Sequence, residues 1–334
     1  MNILCDRHHD GLWNSLILLF EKRLGHTLYH PWGMEWFDSG NWLIGNPYGA
    51  SARNTATQFL NEGVPTDGTA IIRPTRGIDF ETFKNTPIDI IIASYYDHIP
   101  VYTKLRDQYH PNAKVIAQYG NEWPIHPEIK NLLASTAPMN VPPHINVCYY
   151  HQNIDEDNYY HFYDPEKVNS KRKITSFVNA MPQNTIFQED WEDFLQLELR
   201  LPEYEFQSHG GGCRDGSLSQ KDVANNMRES KFIVNFKTGG DGFSHVIHSG
   251  FSCGVPFIYK GSQYKGKLAG ELLSHLETGI DIEKIGFDGI IPYIYSLSEG
   301  EYKKYRYNVR KRFEEKVNYN QEEILVKKFI ENLI

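Results

Sequence analysis

The stretch SKFIVNFKTGGDGFSHVIHSGFSCGVPFIY occupies residues 230–259. Apolar side chains dominate 232–236 (FIVNF), the signature of a strand buried on both faces. A polar loop follows, with Gly239, Gly240, Asp241 and Gly242 in succession. The pattern then predicts a helix over 242–252, which Cys253-Gly254-Val255-Pro256 closes into a second apolar strand at 255–259. Strand, loop, helix and strand make a βαβ unit, and such units build parallel sheets. In open α/β sheets ligands lie beyond the carboxyl ends of the strands. A helix beginning there turns N–H groups and the positive end of its dipole toward an anion. On this reading the amides of Gly242, Phe243 and Ser244 face the anion. Gly239 and Gly240 let the backbone approach closely.

The same alternation extends in both directions. Upstream, strands are predicted at 173–178 (KITSFV) and 204–208, with helices at 188–199 and 219–228. Downstream, helices are predicted over 301–316 and 321–333, the latter with Leu325, Phe329 and Leu333 on one face. The first half repeats the scheme. Strands are predicted at 2–5 (NILC), 26–30, 89–94 (DIIIAS), 113–118 (AKVIAQ) and 145–150 (INVCYY). Helices are predicted over 13–24, stopped by Gly25, and over 100–109. Residues 31–49, rich in Trp, Gly and Asn, read as a long functional loop. The polar tract 153–170 separates the halves. The fold class is therefore α/β, with two Rossmann-like domains facing across a cleft and C-terminal helices packing back toward the first. The expected boundaries are 1–165, 166–316 and a closing helix over 317–334.

Bulk properties exclude several classes. A chain of 334 residues is long enough for two domains. No apolar run reaches the ~20 residues that span a bilayer. The N-terminus lacks the pattern of a secretory leader, and four scattered cysteines suit a reducing compartment. A cytoplasmic location is the expectation. A net charge of −8 disfavours general nucleic-acid binding. No His, Cys and carboxylate spacing forms a metal site, so none is expected.

The stretch 230–259 resembles the donor-binding region of nucleotide-sugar glycosyltransferases of the GT-B fold. A strand leads to an acidic residue, glycine and an aromatic. A helix ending in small residues, Gly-Val-Pro and the next strand follow. The resemblance implies a nucleotide-diphosphate sugar as co-substrate, UDP- or GDP-linked, with no other cofactor and no metal. It implies that Asp241 bonds a donor-sugar hydroxyl and that His245 lies near enough to touch the donor. Where many members carry a second glutamate for the ribose, this chain has Ser249, an uncharged and weaker partner. A second glycine run, SHGGGCRDG at 208–216, places Gly211 and Arg214 just past a strand. Guanidinium matches phosphate geometry in two-point fashion, so Arg214 and then Lys237 are the candidate diphosphate clamps. Ser176 and Asn179 are weaker candidates on the donor side.

The acceptor, whether glycan, small molecule or modified DNA, is then expected on the first half. The loop DRHHDG supplies His9 or Asp10 as a candidate base, with His8 behind them. Asp97 beside His98 is the rival site, and Glu122 the third. The basic run KKYRYNVRKR at 303–312 reads either as a solvated surface or as a contact for a polyanion. Three other functions are alternatives. They are a DNA-modifying glycosyltransferase acting on a hydroxylated base, a sugar-nucleotide epimerase and a non-catalytic nucleotide-sugar sensor.

Overall fold

The computed structural model describes residues 1–6, 10–32, 36, 76–162 and 172–333. The chain divides into two compact units. One comprises Met1–Asn153 with Tyr319–Ile334, and the other Ile154–Asn318.

The first unit is a seven-stranded, wholly parallel sheet. Its strands are β1 (Asn2–Cys5), β2 (Thr27–Pro31), β3 (Gly77–Ile78), β4 (Ile90–Ala93), β5 (Lys114–Tyr119), β6 (Asn131–Ala134) and β7 (Asn146–Tyr149). They lie in the order β3-β2-β1-β4-β5-β6-β7, so the winding reverses between β1 and β4. Helices α1 (Asp10–Leu16, continuing as a π-helical segment Ile17–Arg23), α2 (Phe80–Asn85) and α3 (Ile99–Tyr109) flank it. Strand β4 shows why the sheet is covered on both faces. Ile91 and Ala93 join a core with Tyr102 and Leu105, while Ile90 and Ile92 join another with Leu16 and Phe20. Each fully buried isoleucine contributes ~1.5–3 kcal/mol.

The C-terminal helix Tyr319–Glu331 belongs to this unit. It buries Val326, Phe329 and Ile330 in the core that contains Ile3 and Phe20. Glu322 fixes its position by accepting from the His151 backbone N–H at 2.8 Å and lying 2.7 Å from His151 Nδ1. Only this last helix returns to the first unit.

The second unit is a five-stranded parallel sheet ordered β12-β11-β10-β8-β9. Its elements are β8 (Lys173–Ser176), α4 (Gln188–Arg200), β9 (Glu205–Ser208), α5 (Gln220–Glu229), β10 (Phe232–Asn235), α6 (His245–Ser252), β11 (Phe257–Tyr259), β12 (Gly279–Asp281), α7 (Ile282–Ser296) and α8 (Glu299–Lys316). The winding reverses between β8 and β10, which places the loops after these two strands at the switch point. Side chains start the helices as their types dictate. Ser219 caps α5, Asp281 caps α7, and Ser298 forms a capping box with Glu301 at the head of α8. Gly254 (φ 70°) follows α6 in the left-handed region and ends it. The buried Arg306 then donates to the carbonyls of Cys253 and Gly254, each at 3.0 Å. Orphan carbonyls at the helix end are thus satisfied.

The short strands β3, β6 and β12 and the helices α2 and α7 are absent from the sequence expectation. The strands are two to four residues long, too short for periodicity to show. Helix α7 is bent at Gly286 (φ 67°) and contains Pro292, both breaker signals.

Candidate functional site

The loop after β10, residues 236–244, stands at the second unit's switch point. Its backbone is unusual in three places: Gly239 (φ 82°), Gly240 (φ 56°) and Ser244 (φ 56°) all have positive φ. A Cβ on Gly240 would enter the van der Waals envelope of the Gln263 carbonyl oxygen. Only glycine fits there. Ser244 is a serine in the left-handed region, and surrounding bonds hold it. Its carbonyl accepts from His248 Nδ1 at 3.0 Å, and its hydroxyl accepts from the Ile247 N–H. Phe243 is buried and stacked on the His248 ring at 3.8 Å.

Helix α6 therefore begins at His245, three residues later than the sequence pattern suggests. The N–H groups of its first turn belong to His245, Val246 and Ile247. Gly242, Phe243 and Ser244 form the approach, where the Gly242 carbonyl accepts from Ala269 N–H at 3.1 Å. His245 is half-buried at the first helical position, edge-on to Phe243.

Two lysines gather at this loop. Lys237 Nζ lies 2.6 Å from Asp241 Oδ1, and both side chains are about one-third exposed. Lys267 Nζ donates to the Gly239 carbonyl. Beneath them, Asp190, fully buried in the first turn of α4, accepts from Thr238 N–H at 2.5 Å. It also accepts from Lys260 Nζ and from Gln263 Nε2, each at 2.8 Å. Burial alone would raise the Asp190 carboxyl, but Lys260, Thr238 and Gln263 together hold it below its ordinary value. Burial likewise works against the Lys260 ammonium, and the carboxylates of Asp190 and Asp193 reverse the effect and raise it. The loop is thus tied to α4 and to the end of β11 through one carboxylate.

Other expected donor residues are engaged elsewhere in the unit. Arg214 is bound by Glu198 of α4 at 2.9 and 3.1 Å, by Asp215 at 3.3 Å and by the Phe206 carbonyl at 2.7 Å. Gly211 donates to Asn179 Oδ1 at 3.0 Å, and its carbonyl accepts from Ala180 N–H at 2.7 Å. Side chains on Gly210 and Gly212 would strike Asn179 and Gln183. The close approach signalled by the glycine run is therefore to the loop after β8. Ser249 is buried within α6, where its hydroxyl meets the Tyr160 phenol. Ser176 is fully buried, its hydroxyl 3.6 Å from Met181 Sδ.

Several members of the basic run are engaged inside their own unit. Arg306 is buried, Arg310 pairs with Glu156 and Glu314, and Arg312 lies 3.3 Å from Glu277. Lys303 lies 3.2 Å from Glu299.

The candidate bases all belong to the first half of the chain. His8 and His9 lie outside the described residues, and Asp10 is described only as the first residue of α1. Asp97 is exposed in the turn Tyr96–His98, and Glu122 is exposed after β5. The residue the sequence reading passed over is Asp6. Buried at the end of β1, it accepts from Ser94 N–H at 3.1 Å and from the Ser94 hydroxyl. It also lies 3.2 Å from His98 Nδ1. Asp6 joins the two loops of that unit's switch point. Its signal was an acid placed directly after the apolar run NILC.

Among the described residues no cluster of three His, Cys, Asp or Glu could hold a metal ion. No described helix is long and apolar enough to cross a membrane.

No family model and no curated protein matches the chain. Solved structures do. A glycosyltransferase from Rickettsia africae is 14% identical over 99% of this chain and 98% of its own, with a TM-score of 0.60. Anabaena HepE in complex with UDP-glucose is 11% identical over 100% and 99%, with a TM-score of 0.63. Sucrose-phosphate synthase from Thermosynechococcus elongatus is 11% identical over 99% and 98%, with a TM-score of 0.61. The fold is GT-B. The GT-B likeness runs through both units, whereas the sequence resemblance rests on residues 230–259.

Proposed function

We propose that this GT-B protein is a glycosyltransferase that uses a nucleotide-diphosphate sugar. The observation that carries this reading is the loop 236–244. It combines a close backbone approach, two lysines and the start of α6 at the switch point of the second sheet. The diphosphate would lie at that edge, drawing Lys237 from Asp241 and Lys267 from the Gly239 carbonyl. Asp241, released, would accept from a hydroxyl of the donor sugar. In the transfer, the anomeric carbon–oxygen bond breaks with its electron pair going to the diphosphate. A new bond forms to the acceptor oxygen, releasing the nucleoside diphosphate and a proton. Charge grows on the departing diphosphate, where fixed cations and amides contribute most.

The two lysines and the helix end supply the positive charge, and we assign turnover without a divalent metal on that ground. The bound UDP-glucose of HepE favours a UDP-linked donor. Ser249 is engaged with Tyr160, so the ribose would be held from another element. Free cysteines at all four positions fit a cytoplasmic enzyme. The ion pairs of Lys303, Arg310 and Arg312 within their own unit support an acceptor other than duplex DNA. Thermal unfolding against UDP-, GDP-, ADP- and dTDP-sugars tests the reading. A rise in midpoint with UDP-sugars is expected, and no rise with any of the four would overturn it.

A further inference from the structure

The second unit holds a cavity of about 490 Å³ at the amino edge of its sheet, the opposite end of the strands from the loop 236–244. It lies between the end of α7, one face of α8 and the turn Leu276–Thr278 that leads into β12. That volume suits one small ligand.

Three cations and three carboxylates line it, and they are not equally engaged. Arg312 lies 3.3 Å from Glu277, and Lys311 lies 3.7 Å from Glu315. Glu301 uses Oε2 to accept from the Ser298 N–H and hydroxyl in the cap of α8. Lys304 is exposed and makes no hydrogen bond or ion pair among the described residues. Two phenols add a second donor. The Tyr293 and Tyr305 hydroxyls stand 2.7 Å apart, so one O–H bridges them and the other hydrogen has no acceptor among the described residues. Burial, and then the Tyr293 hydroxyl, pushes the Tyr305 phenol up and keeps it protonated.

One ammonium and one O–H match the two oxygens of a single carboxylate. The lining charges cancel, so no positive field favours a phosphate dianion. Acceptors for hydroxyl groups remain. Glu301 keeps Oε1, and Asn308, whose Nδ2 donates to the Glu277 carbonyl at 3.3 Å, keeps its own side-chain oxygen. Leu276 and Leu297 supply apolar wall for C–H groups. Leu276 is held at φ 63°, with its N–H on the Gly279 carbonyl at 2.7 Å, and its side chain stays exposed.

We infer that this cavity binds a hydroxylated monocarboxylate the size of one hexuronic acid, with the carboxylate on Lys304.

Saturation-transfer NMR on the full chain tests it, with UDP absent and then present. The probes are methyl β-D-glucuronide, D-gluconate, the uncharged methyl β-D-glucoside and α-D-glucosyl phosphate. At least one of the two acids should bind about tenfold more tightly than the glucoside and the phosphate. The glucuronide stands for a uronic acid within a glycan and gluconate for a free sugar acid, so the tighter of the two identifies the source. Lys304→Gln should weaken the acid about tenfold, the worth of one charge-assisted bond, and Lys304→Arg should restore most of it. Lys303→Gln alters a neighbour that pairs with Glu299 and should change nothing. UDP should not displace the acid. No transfer from either acid, equal binding of the glucoside, tighter binding of the phosphate, an unchanged Lys304→Gln protein, or displacement by UDP would each overturn the inference.

Discussion

Removing the Asp190 carboxylate should loosen the loop 236–244 from its support. The group is fully buried and accepts from Thr238 N–H, Lys260 Nζ and Gln263 Nε2. Breaking a buried ion pair by deleting one partner costs ~3–5 kcal/mol. Here the lower end applies. Lys260 keeps Asp193 at 2.7 Å, and Thr238 is an exposed residue. Asp190→Ala should therefore destabilise the second unit by about 3 kcal/mol. Asp190→Asn, which retains one acceptor, should cost about 2 kcal/mol.

Hydrogen exchange read on peptides spanning 232–244 reports the local opening directly. A loss of about 3 kcal/mol speeds that exchange on the order of a hundredfold. The pH dependence has a fixed sign. A carboxyl whose folded pKa lies below its unfolded value of ~3.9 stabilises the fold above that value. It loses the contribution as pH falls through the folded pKa. The gap between wild type and Asp190→Ala should thus be full at neutral pH and shrink below about pH 4. A gap under about 0.5 kcal/mol, or one that widens on acidification, would refute the role given to Asp190.

Three further outcomes follow from the same geometry. Gly240→Ala should weaken UDP binding more than Gly239→Ala. Both carry left-handed strain of ~1–2 kcal/mol, but only Gly240 meets a carbonyl oxygen; equal losses by calorimetry would contradict this. Arg214→Ala should lower stability by less than about 1 kcal/mol and leave donor affinity nearly unchanged. A tenfold loss of affinity, about 1.4 kcal/mol, would instead restore Arg214 as a diphosphate clamp. Nucleotide release measured with excess EDTA should match the untreated rate, and a collapse reversed by a divalent cation would remove the metal-independent assignment.

Much of the second unit was legible because its signals are local. FIVNF, the glycine loop and Gly-Val-Pro each announce one element, and β10, α6 and β11 stand where those signals lie. The start of α6 was not legible. Ser244 takes a backbone conformation that serine rarely adopts, held by a histidine four residues on. The glycine run after β9 indicated close approach, but its partner, the loop 179–183, is about thirty residues away in sequence. Arg214 looked available because Glu198 is sixteen residues upstream. Asp190 was hidden in the acidic first turn EDWED, where carboxylates ordinarily offset the helix dipole. Apart from Ser244, whose partner His248 is one helical turn away, each miss involves a contact made by tertiary packing.

The central claim is that the loop 236–244 holds a diphosphate through Lys237. Calorimetric titration of UDP into wild type and Lys237→Met tests it most directly. Wild type should bind with a micromolar constant, and the variant about tenfold or more weaker with an unchanged unfolding midpoint, a difference of at least about 1.4 kcal/mol. Equal affinity in the two proteins, or no heat with wild type, would contradict it.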